Sequence, residues 1–267
     1  MTNLLYAPGG GPDQMMDLYW PAARPTATVL FIHGGSLQES GERRSSPMYR
    51  EVCAPFVRAG IACASMDYRL APRNAWPAMP NDVAAAIRKL RQLVTERGAD
   101  QRRIFLFGHS SGCHLAAIIG ADSSYLKAVG LAPSDVAGII PMGCTLDRDD
   151  AAIRGVSADD IHNVWSSDAQ DVATFGTAAT WISANPANHM GAHIPPALVI
   201  VAHDERFMPA ILEQGARFVR RMLEHDRPAH LVVVPGSHVS SISHIGMPDD
   251  PTLAAILRFI ANPSMPF

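Results

Sequence analysis

Arg103-Ile104-Phe105-Leu106-Phe107-Gly108-His109-Ser110-Ser111-Gly112-Cys113, together with the run that continues to Ile119, decides the fold. Behind Arg103 lies a short run that is apolar on both faces, as in a strand buried within a parallel sheet. It stops at Gly108. From Cys113 to Ile119 small and aliphatic residues read as a helix. The five residues between must therefore turn a strand sharply into a helix, with Ser110 at the apex. A Cβ at Gly108 or Gly112 would collide with the neighbouring elements, which is why glycines stand two positions either side.

Further out, the same alternation repeats. Ala27–Ile32, Ile61–Met66, Gly138–Met142, Ala197–Ala202 and Leu231–Val234 are further apolar runs of strand length. Helical patterns separate them. Val83, Ile87, Leu90 and Val94 form one stripe, closed by Gly98. Ile211, Phe218 and Met222 mark a second within residues 208–225, and Leu253, Ile256, Leu257 and Ile260 a third. Alternating strands and helices predict an α/β fold with helices on both faces of a parallel sheet. Between about Asp147 and Pro195 the rhythm breaks, and polar residues mix with Trp165, Phe175 and Trp181. This stretch reads as a small helical insertion over the strand ends, within a single domain spanning residues 1–267. Trp76, Trp165, Phe175 and Trp181 are candidates for pocket walls, and core packing explains them equally well.

Composition excludes several classes. Of 267 residues, 48% are apolar and 18% charged, with a formal net charge of −3. That is a globular balance without a basic footprint for nucleic acid or anionic lipid. No apolar run approaches the length of a membrane span, and the first residues lack the basic-then-apolar pattern of a secretory leader. Cys53, Cys63, Cys113 and Cys144 sit among small and apolar neighbours with no CxxC pair. They are expected to be buried free thiols, and the protein cytoplasmic.

Gly108-His109-Ser110-Ser111-Gly112 is a GxSxG sequence in a strand–turn–helix frame, which makes Ser110 the candidate nucleophile of an acyl-transfer reaction. The helix N-terminus beneath it favours developing negative charge. His33-Gly34-Gly35-Ser36 follows the first long strand. Its backbone N–H groups at Gly34, Gly35 and Ser36, with that of Ser111, are the expected oxyanion donors. His33 is expected to be structural and to fix that loop.

Together these residues resemble the α/β-hydrolase family, in its carboxylesterase branch with an HGG oxyanion loop. The resemblance rests on His33-Gly34-Gly35, Asp67-Tyr68-Arg69-Leu70-Ala71-Pro72, the GxSxG sequence and Ala202-His203-Asp204, and covers roughly Asp17 to Ile260. The compact build is similar to acetyl and feruloyl esterases and to arylformamidases. It implies an α/β-hydrolase fold: a mostly parallel eight-stranded sheet flanked by helices. It also implies hydrolysis of small or short-acyl carboxylic esters by a serine esterase that needs no cofactor or metal. An arylformamidase-like amidase is the alternative, and a non-catalytic binding protein on the same scaffold a third.

The fold requires an acid and then a histidine after the serine in chain order. Asp204 follows the strand Ala197–Ala202 and matches the family's acid position. Glu205 is next door and is expected to point elsewhere, and Asp147 is a less favoured substitute. His238 directly follows the last strand and is the expected base, ahead of His244. His189 and His193 stand four apart, but Gly191 and Pro195-Pro196 argue against a zinc-binding helix there.

Overall fold

The computed structural model describes residues 1–147, 168–205 and 208–265. The described strands form a single eight-stranded sheet. They are β1 (Leu4–Leu5), β2 (Met15–Tyr19), β3 (Thr28–Ile32), β4 (Ala62–Met66), β5 (Ile104–His109), β6 (Gly138–Met142), β7 (Ala197–Ala202) and β8 (Ala229–Val234). Their order across the sheet is β1-β2-β4-β3-β5-β6-β7-β8. From β4 to β8 every neighbouring pair is parallel, while β1 and β2 form an antiparallel edge. The mostly parallel eight-stranded α/β-hydrolase fold is therefore present.

Five of the six apolar runs became strands with both faces covered, while β8 at the sheet edge is buried only at its ends. In β3, Val29 and Phe31 face one hydrophobic layer, and Leu30 and Ile32 face the other. Phe105 and Phe107 alternate in the same way with Ile104 and Leu106 in β5. One layer is closed by helices α2 (Ala78–Glu96), α3 (Ser111–Ala121) and, further along the chain, the helix Met208–Glu224. The opposite layer is closed by α1 (Cys53–Arg58) and the helix Pro251–Ala261 through Phe56, Ile256 and Phe259. Burying a side chain of this size stabilises the fold by about 1.5–3 kcal/mol.

A short helix, α4 (Ser123–Ala128), follows α3. The described part of the 147–195 stretch holds α5 (Ala169–Phe175) and α6 (Ala178–Ser183), each begun by a side-chain cap, Asp168 and Thr177 respectively. Trp165 lies outside the described residues. Gln38 reaches from the loop after β3 to Thr174 Oγ1 at 2.7 Å, and Trp76 N–H donates to Thr174 O at 2.7 Å. These bonds tie α5 over the carboxyl ends of the strands. The helices Met208–Glu224, Ser240–Ser243 and Pro251–Ala261 are α7, α8 and α9.

The expected free thiols are absent. Cys53 is bonded to Cys63 and Cys113 to Cys144. Packing of α1 against β4 brings the first pair together across ten residues of sequence. The second pair joins the first turn of α3 to the loop after β6. The argument from free thiols to a reducing compartment falls with them. No described helix is long and apolar enough to cross a membrane.

Candidate active site

Ser110 sits between β5 and α3 with φ 55° and ψ −125°, a conformation that L-residues rarely adopt. Three contacts hold it there. Ser110 N–H donates to Met142 O at 2.9 Å. A Cβ on Gly112 would lie 2.1 Å from Ile32 O, and one on Gly108 would lie 2.0 Å from Gly112 O. Only hydrogen fits at those positions, so helix and strand close tightly and drive the serine outward.

The loops after β3, β5, β6, β7 and β8 all open at the carboxyl edge of the sheet, where this class of fold places its ligands. They surround a cavity of about 580 Å3. Ser110, His238, Glu205, Ser36 and Ser111 line it, as do Leu37, Phe175 and Ile211.

The acid beside His238 differs from the expected one. Glu205 Oε1 meets His238 Nδ1 in a close ion pair. The Glu205 side chain is 4% exposed and that of His238 34%. Asp204 instead turns out to solvent, with a side chain 66% exposed, and pairs with His203 Nδ1 at 2.8 Å. The reason lies in the backbone. His203 N–H donates to Val234 O and Asp204 N–H to Gly236 O, so the loop after β7 lies along the loop after β8. With residues 203 and 204 in that ladder, the next side chain is the one carried inward, and Glu205 has the reach to meet the ring. Gly143 (φ +69°) packs on the pair: a Cβ there would lie 3.2 Å from His238 Nδ1. A carboxylate only accepts, so Nδ1 carries the ring proton and Nε2 is left as the basic nitrogen.

The other acids and histidines have separate duties. Asp147 is buried and pairs with Arg217 at 3.3 Å and Arg221 at 3.4 Å on α7. His244 is exposed and does not line the cavity. His189 and His193 bond to the carbonyls of Ser183 and Ala121. His33 is buried, stacks on Tyr68, and lies beside its own loop with Nδ1 2.6 Å from Gly34 O. Of the pocket-wall candidates, Phe175 lines the cavity, while Trp76 packs against it and Trp181 bonds to Asp171.

Gly35, Ser36 and Leu37 all have positive φ (113°, 58° and 61°), which curls the loop after β3 around the cavity mouth. Of the four expected oxyanion donors, Ser36 and Ser111 line the cavity. Gly34 and Gly35 do not, and Gly34 packs on the Tyr49 hydroxyl, which a Cβ there would meet at 2.6 Å. Tyr49 is a buried residue of this site that had no role in the sequence reading, and His109, expected there only to help shape the turn at Ser110, is buried beside it. Burial holds the Tyr49 phenol above its ordinary range, and the Gly34 backbone offsets part of that rise. Burial, and then the neighbouring His238, bring His109 down to about 3, so it is neutral.

Comparison with known proteins matches residues 16–214 to the BD-FAE family model. Esterase LipQ of Mycobacterium tuberculosis is 30% identical over 127 residues, 46% of this chain and 29% of its own length. Gibberellin receptor GID1 of Oryza sativa is 36% identical over 108 residues, 38% of this chain and 30% of its own. The aligned stretch thus spans under a third of either relative. The crystal structure of esterase B from Lactobacillus Rhamnosis superposes with a TM-score of 0.76 at 20% identity, covering 99% of this chain and 85% of the other.

Proposed function

The chain belongs to the BD-FAE family, and from that premise we propose that it is a serine carboxylic ester hydrolase acting on short-acyl esters. Ser110 is the nucleophile, His238 the general base and Glu205 the acid that orients it. The observation that carries this reading is the buried carboxylate of Glu205 on His238 Nδ1, at a cavity that Ser110 also lines.

A serine hydroxyl needs a base to attack at neutral pH. His238 Nε2 takes its proton as Ser110 Oγ bonds to the ester carbonyl carbon. Negative charge collects on the carbonyl oxygen, where the N–H groups of Ser111 and Ser36, with that of Gly35, stabilise it. The tetrahedral intermediate collapses, the C–O bond to the alcohol breaks, and His238 returns the proton to the departing oxygen. Water repeats the sequence on the acyl-enzyme. Glu205 stays ionised and steadies the imidazolium at each step. Leu37, Phe175 and Ile211 supply the apolar wall suited to a short acyl chain.

A binding role on the same scaffold finds less support, because a base, its carboxylate and a serine on a strained turn all meet one cavity. Ser110→Ala should abolish turnover of p-nitrophenyl acetate, and a fluorophosphonate should modify Ser110 of the native protein. Undiminished turnover by Ser110→Ala, or no adduct on the folded native chain, would end the proposal.

A further inference from the structure

We propose that Tyr49 and His109 are positioning residues that hold the backbone of His238 at a fixed distance from the oxyanion loop. The proposal rests on the reading of His238 as the base. Neither residue lines the cavity. Both are buried, at 2% and 1% exposure.

The chemistry of each partner sets the direction of every bond between them. His109 Nε2 lies 2.9 Å from His238 O, and a carbonyl oxygen only accepts. The proton of neutral His109 is therefore on Nε2, and Nδ1 carries a lone pair. Tyr49 Oη lies 2.8 Å from that Nδ1 and so must donate its proton to it. Oη also sits against the oxyanion loop, since a Cβ on Gly34 would lie 2.6 Å from it. A single run of donors results, from Tyr49, packed on Gly34, through His109 to the carbonyl of His238. Each bond in such a run polarises the next.

The run joins the loop between β3 and α1, which carries both Gly34 and Tyr49, to the end of β5 and the loop after β8. The His109 ring also lies against that of His238, with centroids 4.5 Å apart. Its neutrality matters at this contact, because His238 becomes an imidazolium during turnover and a second positive ring would oppose it. Ser241 Oγ, at 3.3 Å, is the other donor to His238 O and belongs to the same local turn. Among the described residues, the His109 bond is the one that refers the base to the distant oxyanion loop. Placement errors of about 1 Å can cost on the order of 10²-fold in rate.

The test measures kcat and KM for p-nitrophenyl acetate, with thermal unfolding, in Tyr49→Phe, His109→Leu, His109→Gln and Ser110→Ala. Tyr49→Phe removes one oxygen and should lower kcat about 10-fold with KM within about 2-fold. His109→Leu should lower kcat on the order of 10²-fold. His109→Gln should recover most of that loss, because its amide N–H can reach the same carbonyl. A purely structural role predicts lower unfolding temperatures without this kcat-specific loss and without rescue by Gln. Wild-type kcat in Tyr49→Phe, or a His109→Gln protein no faster than His109→Leu, overturns the proposal. If His109→Leu does not fold, Tyr49→Phe decides alone. Turnover persisting in Ser110→Ala would instead defeat the underlying triad. A silent Ser110→Ala beside fully active Tyr49→Phe and His109→Leu would defeat the positioning role only.

Discussion

Gly143 is bare because His238 and Glu205 pack against it. Its φ of +69° already disfavours any side chain, and a Cβ would lie 3.2 Å from His238 Nδ1 and 3.7 Å from Glu205 Oε2. Gly143→Ala should cost about 1 kcal/mol in stability and on the order of 10-fold in kcat as the ring is pushed off line. Urea unfolding and p-nitrophenyl acetate kinetics read the two effects separately. A variant with native kcat would mean that His238 tolerates displacement. The same spot shows what sequence can and cannot say about a site. The turn around Ser110 was legible because its glycines answer to contacts within a few residues. His238 was legible because it directly follows a strand. The choice between Asp204 and Glu205 was not: both are acids in one loop, and which of them faces inward depends on bonds to residue 234 at the end of β8 and residue 236 in the loop after it. Tyr49 was invisible for the same reason, since its partners come from 34 and 109.

Elements were read best where both faces are apolar. The runs ending in Ile32, Met66, Met142 and Ala202 became β3, β4, β6 and β7 with ends shifted by one residue at most. β2 was missed because it alternates: Met16 and Leu18 are buried while Met15, Asp17 and Tyr19 are half-buried. That is the pattern of a strand near the edge, and a search for continuous apolar runs passes over it. The cysteines failed for a different reason. Cys113 and Cys144 are 31 residues apart, and only the packing of α3 beside β6 brings them together. This bridge joins the helix behind Ser110 to the loop that carries Gly143. Replacing both cysteines with serine should lower stability by about 3 kcal/mol, seen as a lower urea midpoint under non-reducing conditions. An unchanged midpoint would show that the bridge contributes nothing to the fold.

Across the whole molecule the two apolar layers hold the sheet, and five loops at one edge of it supply the site. The site carries a cost that depends on pH. Burial keeps His109 neutral down to about 3, against an ordinary 6.5. Between those values the unfolded chain binds a proton that the folded chain refuses, so stability falls as pH drops through that window. Above about 6.5 both states are neutral at this residue and the term vanishes. At pH 5.5 it amounts to about 1 kcal/mol. His109→Gln should therefore lose less stability than the native protein between pH 7.5 and 5.5, by urea unfolding. Parallel losses would show that His109 titrates in the folded state. The central claim is that the strand ends bring Ser110, His238 and Glu205 to one point, with Asp204 outside. The most direct measurement compares kcat/KM of Glu205→Gln with that of Asp204→Asn on p-nitrophenyl acetate. Glu205→Gln should fall on the order of 10³- to 10⁴-fold and Asp204→Asn should stay within about 3-fold of native. The reverse ranking would contradict the account.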